Sequence, residues 1–300
     1  AYKSHGYTFF DDVIYYPEKI RDLNEKDLMI SAVAVSRRRE IMGHGALLLS
    51  DPNAPTADID FLFVDPKFRK QTRLGSQITE YLMKTAREKN LVGVYAYTVT
   101  VHTISQKMAA KAGLQPLSIL LAASPMTWNF KGITEQVNQR ISVVLGFKYL
   151  QTPQPRVIYL PERHETMIRR LYGSLHAGHR FEKAQSAPVE ALPAKSVLRT
   201  EIAEVENSAG ISIVQVGNDL VAAVRAELRK LCVKDIDSIA LGVSLEDGTA
   251  ARYLDRFEEM GFFFAGVFPE TPIGDALVLQ YLNNLEFDYA SVNILPGDSQ

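Results

Sequence analysis

The sequence has little cysteine, no long apolar run and almost no net charge. Its single cysteine in 300 residues, Cys232, excludes a framework of internal disulfides and a zinc site built from thiolates alone. A lone thiol fits a reducing compartment, so we expect a cytoplasmic protein. No apolar run approaches the roughly 18 residues needed to cross a bilayer, and no basic-then-apolar signal layout opens the chain. We therefore expect no membrane segment.

The charge balance also disfavours one class of partner. Lys and Arg total 33 and Asp and Glu total 35, which gives a formal net charge of −2. Nucleic-acid binders depend on clustered positive charge that neutralises phosphates, so we expect no nucleic-acid partner. Apolar residues at 46% and charged residues at 23% are typical of a globular protein of one large domain or two. The chain begins at Ala1 without a Met, so we expect a processed chain or a piece of a longer one.

Strands and helices alternate through the first half of the chain. Two apolar runs around a charged tip predict an antiparallel hairpin over 27–36 and 41–49, with the arginines of the tip in solvent. Later patterns predict strands over 57–64, 92–101, 117–122, 140–150 and 156–160, and helices over 73–89, 105–112 and 161–175. This alternation predicts an α/β arrangement around a sheet.

The same order of elements returns after an Ala-, Pro- and Ser-rich linker over 184–195. Strands are predicted over 211–216, 236–243, 262–268 and 276–281, and helices over 218–231 and 249–260. The agreement in length and order predicts an internal repeat whose second copy lacks the opening hairpin.

The segment from Val64 to Ile78 carries the most chemical information. It joins a strand to the start of a helix, where unpaired backbone N–H groups and the positive end of the helix dipole favour an anion. Arg69, Lys70 and Arg73 add three cations, and Gly75 allows close backbone approach. The segment therefore predicts a site for a diphosphate.

This segment resembles motif A of the GNAT superfamily, the acyl-CoA-dependent N-acyltransferases. The resemblance lies in Val64, Pro66, Phe68 and Arg69. It departs in the loop, where the family usually has two glycines and this chain has only Gly75. The stretches 43–47 and 98–114 resemble other family strands and helices, so that the resemblance covers about residues 10–160.

The last hundred residues also resemble part of a GNAT domain. The stretches 257–266 and 275–282 look like the family's helix-Gly-Phe-strand signature and closing strand. The turn 217–219 has no cations, which implies that this half has lost the cofactor loop. The layout resembles bacterial proteins with two GNAT copies. It implies a mixed α/β sheet with flanking helices over 1–160, a helix and linker over 161–195, and a second, degenerate GNAT-like half over 196–300.

The resemblance implies an enzyme that moves an acetyl group from acetyl-CoA to an amine by direct attack, with no metal. Pantetheine would lie along the strand that ends in Phe63 and Val64, like an added strand. The residues implied in acetyl-CoA binding are Phe63, Val64, Arg69, Lys70, Gln71, Thr72, Arg73, Leu74, Gly75, Ser76 and Ser105.

Two carboxylates and one histidine are the candidate catalytic groups. Asp58 stands where many family members carry Glu and is the first candidate for the base, with Asp60 second; alternatively, both face solvent. Many family members protonate the leaving thiolate with a Tyr, but Ala109 and Phe257 occupy the two matching positions. His102 is then the candidate donor, and the alternative is that it only caps a helix.

The missing tyrosine and the reduced glycine loop leave other functions open. The main alternative is a catalytically silent GNAT-like module that senses acyl-CoA or docks a regulatory protein. A third is a structural interaction protein without a cofactor. The two halves imply either a monomer with pseudo-dimeric halves or a homodimer.

Overall fold

The computed structural model describes residues 1–9, 11–69, 73–128, 137–188 and 191–295, and its contacts divide them into two units. Unit 1 comprises the described residues of Ala1–Pro116, Pro125–Thr152 and the segment from Asp288 onward. Unit 2 comprises those of Leu117–Ser124 and Pro153–Phe287. Both units combine a sheet with helices, as the sequence predicted. Among the described residues, no helix is long and apolar enough to cross a bilayer.

Unit 1 is built on a five-stranded mixed sheet. Its strands are β1 (Met29–Val35), β2 (Ile41–Leu48), β3 (Thr56–Val64), β4 (Gly93–Val99) and β6 (Ile141–Tyr149), in that order across the sheet; β5 (Gln115–Ser124) precedes β6 in the chain. Its helices are α1 (Tyr2–His5), α2 (Pro17–Glu25), α3 (Pro66–Arg69), α4 (Leu74–Glu88) and α5 (Ile104–Ala112). β3 and β4 run parallel, and the other neighbours run antiparallel. The predicted hairpin and helices of this half are confirmed to within about two residues.

Helix α4 covers one face of this sheet. Its apolar side, with Leu74, Ile78 and Leu82, packs in one cluster with Ala57 and Ile59 of β3. At Gly45 of β2, a Cβ would lie 2.7 Å from a methyl carbon of Ile78. Glycine is therefore required there for the helix to approach the sheet, and this close packing fixes the position of the turn between β3 and α4.

The chain returns to unit 1 after leaving unit 2. The Asn293 N–H donates to the carbonyl of Thr100 at 2.9 Å, just past the end of β4. The Gln106 amide donates to the Asn293 carbonyl at 2.8 Å and accepts from the Leu295 N–H at 2.9 Å. The predicted boundaries grouped residues 196–300 together, whereas these backbone contacts place 288–295 with the first half.

Unit 2 has a six-stranded sheet and a separate pair of short parallel strands. The separate strands are β7 (Val157–Leu160) and β8 (Arg180–Lys183), and the sheet order is β5, β12 (Phe263–Thr271), β13 (Gly274–Leu282), β11 (Ser238–Ser244), β10 (Ser208–Gln215) and β9 (Val197–Ala203). The helices are α6 (Glu165–Leu175), α7 (Leu220–Val233), α8 (Gly248–Ala251) and α9 (Leu254–Glu258).

One strand of this half was missed and one helix was predicted wrongly. The second copy was expected to lack the opening hairpin, and the structure has a single added strand there, β9, which pairs antiparallel with β10. Its charged Arg199 and Glu201 interrupt the apolar pattern, because this face of the strand is exposed. The helix predicted over 249–260 is broken at Arg252, whose guanidinium donates to backbone carbonyls including that of Ala184 at 3.0 Å.

Strand β5 belongs mainly to unit 2 because of polar contacts. Ser118 Oγ donates to the Val267 carbonyl of β12 at 2.8 Å. The Gln280 side chain, which is buried, accepts from the Leu121 N–H at 2.9 Å and donates to its carbonyl at 2.6 Å. At Gly266, a Cβ would lie 2.2 Å from the Leu117 carbonyl oxygen. A strand from the first half of the sequence is thus held by residues of the second.

Candidate functional site

Strands β3 and β4 pair along only part of their length. The parallel register runs from Thr56 opposite Gly93 to Asp58 opposite Tyr95, and within the described residues the two strands have no further pairs. β3 continues to Val64 and β4 to Val99. The two strands therefore separate at Asp58 and leave an opening in the sheet. An opening of this kind offers strand backbone to an extended ligand.

A β-bulge lies in β3 beside this opening. The register with β2 shifts between the pairs His44–Phe63 and Ala46–Asp60, and Phe61 has a φ of 50°. Two hydrogen bonds, one at the N–H and one at the carbonyl of Phe61, offset the strain of this left-handed conformation. The Asp60 carboxylate accepts the Phe61 N–H, and the His44 Nδ1–H donates to the Phe61 carbonyl at 3.0 Å. Asp60 therefore helps to hold the bulge.

The bulge determines which backbone groups face the opening. The Asp65 N–H donates to Met42 of β2 at 2.9 Å, so the antiparallel alternation also turns Phe63 towards β2. Val64 points the other way: its carbonyl accepts from Ser4 Oγ at 3.2 Å and from Arg69 Nε at 3.1 Å. Of the two residues chosen from the sequence, Val64 is placed at the opening and Phe63 is not.

Arg69 lies at the end of β3 and is half-buried. Its guanidinium is fixed by the bond to the Val64 carbonyl, because α3 is a single turn that brings the side chain back over the strand. Burial lowers the pKa of Arg69 from its ordinary value of 12.5. An arginine remains charged at neutral pH under such a shift.

The first turn of α4 provides the predicted anion site. Arg73 immediately precedes the helix and is exposed, and the N–H groups of Leu74, Gly75 and Ser76 have no partner within the helix ladder. At Gly75, a Cβ would lie 2.9 Å from Met108 Cε of α5, so this glycine also lets the two helices approach. The predicted residues Lys70, Gln71 and Thr72 lie outside the described residues.

Asp58 and Asp60 share a face of β3 with Tyr97 of β4 close by. Within the described part of the chain, the Asp58 carboxylate has no hydrogen-bond or ion-pair partner. Burial, together with the Asp60 charge, raises the pKa of Asp58 to about 7. Burial raises the pKa of Asp60 to about 6, although the bond from Phe61 opposes this shift. The pKa of Tyr97 is raised by desolvation of its hydroxyl and by the charges of both carboxylates, although 46% of the residue is exposed.

This environment predicts a pH-dependent stability. Because the pKa of Asp58 is raised from 3.8 to about 7 on folding, its contribution to stability is fully present below about pH 4. That contribution is lost as the pH rises through 7. We expect the free energy of unfolding of Asp58→Asn, measured by urea denaturation, to increase relative to that of the wild type between pH 4 and 8. A difference that does not change with pH would contradict the assignment.

His102 and Ser105 lie at the turn between β4 and α5. His102 Nδ1 accepts the Ile104 N–H at 3.3 Å, so the ring caps the helix and carries its proton on Nε2 when neutral. Burial and the Arg69 charge lower the pKa of His102. The Ser105 Oγ is buried and has no hydrogen-bond partner among the described residues.

Comparison with known proteins gives the family of this site. Residues 4–114 match the model of the acetyltransferase (GNAT) family, and they include the opening, the bulge and the first turn of α4. Residues 4–114 are therefore similar to the GNAT acetyltransferases. We refer to these residues as the GNAT domain. A search of curated proteins gives no match.

Several solved acetyltransferase structures are similar to part of the chain. RimL, a ribosomal L7/L12 alpha-N-protein acetyltransferase, is 13% identical, with 44% of this chain and 77% of that one covered at a TM-score of 0.36. The ribosomal-protein-S18-alanine N-acetyltransferase of Escherichia coli is 12% identical, with 46% and 80% covered at 0.37. Mutant forms of the spermidine/spermine N-acetyltransferase SpeG from Vibrio cholerae are 9% identical, with 44% and 73% covered at 0.36.

The corresponding turn of unit 2 is filled by the chain itself. The Gly217 N–H donates to Ser196 Oγ at 2.9 Å, and the Asn218 N–H donates to the Pro193 carbonyl at 2.9 Å. The Asp219 carboxylate accepts the Ser196 N–H at 2.7 Å. A Cβ at Gly217 would lie 2.4 Å from the Lys195 carbonyl carbon. Two backbone N–H groups that precede the N-cap Asp219 of α7 are therefore bonded within the chain, and Gly217 is packed against Lys195.

The position of the usual family acid contains no proton donor. Ala109 lies in α5 of the GNAT domain, and Phe257 is fully buried in α9. Among the described residues, no group of three or more His, Cys, Asp or Glu side chains is arranged to hold a metal ion.

Proposed function

We propose that the GNAT domain transfers an acetyl group from acetyl-CoA to the nitrogen of an amine. The observation that carries the proposal is the Asp58 carboxylate at the point where β3 and β4 separate, which has no partner among the described residues. A general base with a pKa near 7 is well matched to neutral pH. The family match supports acyl transfer, and the opening provides the strand edge along which pantetheine would lie.

The donor would be held at both ends of this opening. The diphosphate would accept hydrogen bonds from the first turn of α4 and ion pairs from Arg73 and Arg69. Pantetheine amides would pair with Val64 and with Leu62, which lies two residues earlier and faces the same way. The Leu62 N–H is then placed to stabilise the oxyanion that forms on the thioester carbonyl.

The reaction is a direct displacement. Asp58 takes a proton from the ammonium of the acceptor, and the free amine attacks the thioester carbonyl carbon. A C–N bond forms, the C–S bond breaks, and the CoA thiolate takes up the second proton that the attacking nitrogen loses. His102 is the candidate to stabilise the leaving thiolate by a hydrogen bond from Nε2–H, while its Nδ1 keeps the helix cap. Asp60 holds the bulge and adds negative charge that favours a cationic acceptor.

Calorimetric titration of the full chain with acetyl-CoA tests the donor site. We expect micromolar affinity with one molecule per chain, because the turn before α7 is filled. Arg69→Ala and Arg73→Ala should each weaken binding by about tenfold or more, since each removes a charge-assisted contact. Arg38→Ala, an exposed arginine of the β1–β2 turn, is the control and should bind normally. Absence of binding at millimolar acetyl-CoA would contradict the proposal.

A silent acyl-CoA-sensing module is the second candidate. It is favoured by Ala109 at the position of the usual acid and by the capping role of His102. Such a module would bind acetyl-CoA normally but release no CoA thiol with any member of an amine panel. An enzyme would release thiol. A comparison of His102→Asn, which can retain the cap, with His102→Ala would separate the capping role of His102 from its role towards the leaving thiolate.

A further inference from the structure

Strand β9 is an edge of the unit 2 sheet. It pairs with β10 on one side, and among the described residues no strand pairs with its other side. Val197 and Ile202 are exposed to 47% and 38%. An edge strand with available backbone groups and exposed apolar side chains can accept another strand. Sheet edges are usually protected against pairing with another strand. The charged side chains of β9 therefore determine which strand can pair with it.

The side chains of β9 divide between two faces. Thr200 Oγ1 donates to Glu227 Oε1 of α7 at 3.0 Å, so Thr200 lies on the face covered by that helix. Because side chains alternate along a strand, Leu198 and Ile202 lie on the same face. Arg199 and Glu201 lie together on the opposite face, and both are exposed.

The sequence of β9 is self-complementary about Thr200. In an antiparallel pair of two β9 strands centred on Thr200, Arg199 of each copy stands opposite Glu201 of the other. Leu198 stands opposite Ile202, so two apolar pairs form on the α7 face. The arrangement is an isologous two-fold contact in which the same patch is used by both copies.

The same charges exclude the neighbouring registers. A pair centred on Glu201 would place Glu201 opposite itself, and a pair centred on Arg199 would place Arg199 opposite itself. Like charges directly opposite one another are destabilising. A two-fold axis that passes between two residues would pair side chains from opposite faces of the two strands, because side chains alternate with a period of two. The register centred on Thr200 satisfies charge and face at once and is the one that pairs all seven residues of β9.

We propose that β9 pairs with β9 of a second copy of this chain to form a two-fold dimer with a continuous sheet. Two seven-residue strands bury less surface than the roughly 1,600 Å² of a standard stable interface. The dimer should therefore dissociate at concentrations on the order of micromolar rather than nanomolar. The proposal is independent of acyl transfer, since it uses no residue of the GNAT domain.

Sedimentation equilibrium of the full chain tests the dimer. The concentrations run from about 1 to 100 µM, a range chosen to include the expected dissociation constant. We expect Arg199→Glu and Glu201→Arg each to raise the dissociation constant by about tenfold or more, since each places two like-charge pairs in the contact. The double variant, Arg199→Glu with Glu201→Arg, restores both opposite-charge pairs and should return to within about threefold of the wild type. Arg229→Glu, an exposed residue of α7, changes net charge equally and should have no effect.

Three outcomes would overturn the proposal. If the wild-type chain stays monomeric over the whole concentration range, β9 does not pair with a second copy. A dimer that both single variants preserve uses another surface. A double variant that stays as weak as the single ones shows that the residues do not face each other. Circular dichroism of each variant establishes that it is folded before its association is interpreted.

Discussion

Replacing Asp58 by Asn is expected to lower kcat for acetyl transfer by about 100- to 10,000-fold, the range that loss of a general base produces. Asn retains the shape of the side chain but cannot take a proton from the ammonium. Wild-type kcat/KM should rise with pH through about 7 as Asp58 loses its proton. The measurement is release of free CoA thiol from acetyl-CoA across a panel of amines that includes spermidine.

Two controls distinguish loss of the base from loss of the site. Acetyl-CoA should bind Asp58→Asn as tightly as it binds the wild type, because the diphosphate contacts lie at the α4 end of the opening. Asp60→Asn should have the smaller effect on kcat and the larger effect on stability, since its carboxylate holds the Phe61 N–H. If Asp58→Asn kept turnover within about threefold, Asp58 would not be the base.

The first half of the fold was predictable because its signals are local. Helix α4 follows the 3.6-residue period of Leu74, Ile78 and Leu82, and Gly113 ends α5 in the left-handed conformation, with a φ of 85°. The turn between β3 and α4 was predicted from Pro66 and the cations beside it. Each of these features depends on residues close together in the sequence.

The parts that escaped prediction depend on distant residues. The family resemblance implied Phe63 and Val64 together, but the bulge at Phe61, which His44 holds from β2, is followed by an alternation that turns Phe63 towards β2. The return of Asn293 to unit 1 is held by the Thr100 carbonyl and by the buried amide of Gln106, both far away in the sequence. Gly45 lies opposite the bulge, but a glycine alone does not indicate which way a strand turns.

The two units differ in what lies at the end of their parallel strands. In the GNAT domain, the turn before α4 retains available N–H groups and nearby arginines. In unit 2, Ser196 and the Pro193 carbonyl bond to the N–H groups of Gly217 and Asn218 just before α7. The end of the segment that the sequence predicted as a linker therefore occupies this turn. This supports the hypothesis that only one copy binds the acyl donor.

Unit 2 is instead stabilised by a buried ionic network around Asp275, which is fully buried. Its carboxylate accepts from Arg156 at 3.1 Å and from the Tyr172 hydroxyl at 2.9 Å, and it lies 3.4 Å from His179 Nε2. Burial alone would raise the pKa of Asp275, but the nearby His179 imidazole and the hydrogen bonds from the Glu270 N–H and the Tyr172 hydroxyl hold it below its usual value. The carboxylate is therefore charged above about pH 4 and stabilises the fold there.

Asp275→Ala is expected to lower the free energy of unfolding by about 3–5 kcal/mol, because removing one member of a buried ionic group leaves the others without compensation. Arg156 would keep Glu246 and Glu270 but lose its most buried partner. Urea denaturation followed by circular dichroism measures the loss. Tyr172→Phe removes one bond from the same carboxylate and should lower the free energy by about 1 kcal/mol. Arg256→Ala breaks an exposed pair with Glu259 and should change it by less than about 0.5 kcal/mol. If Asp275→Ala fell as little as Arg256→Ala, the network would not be a source of stability for unit 2.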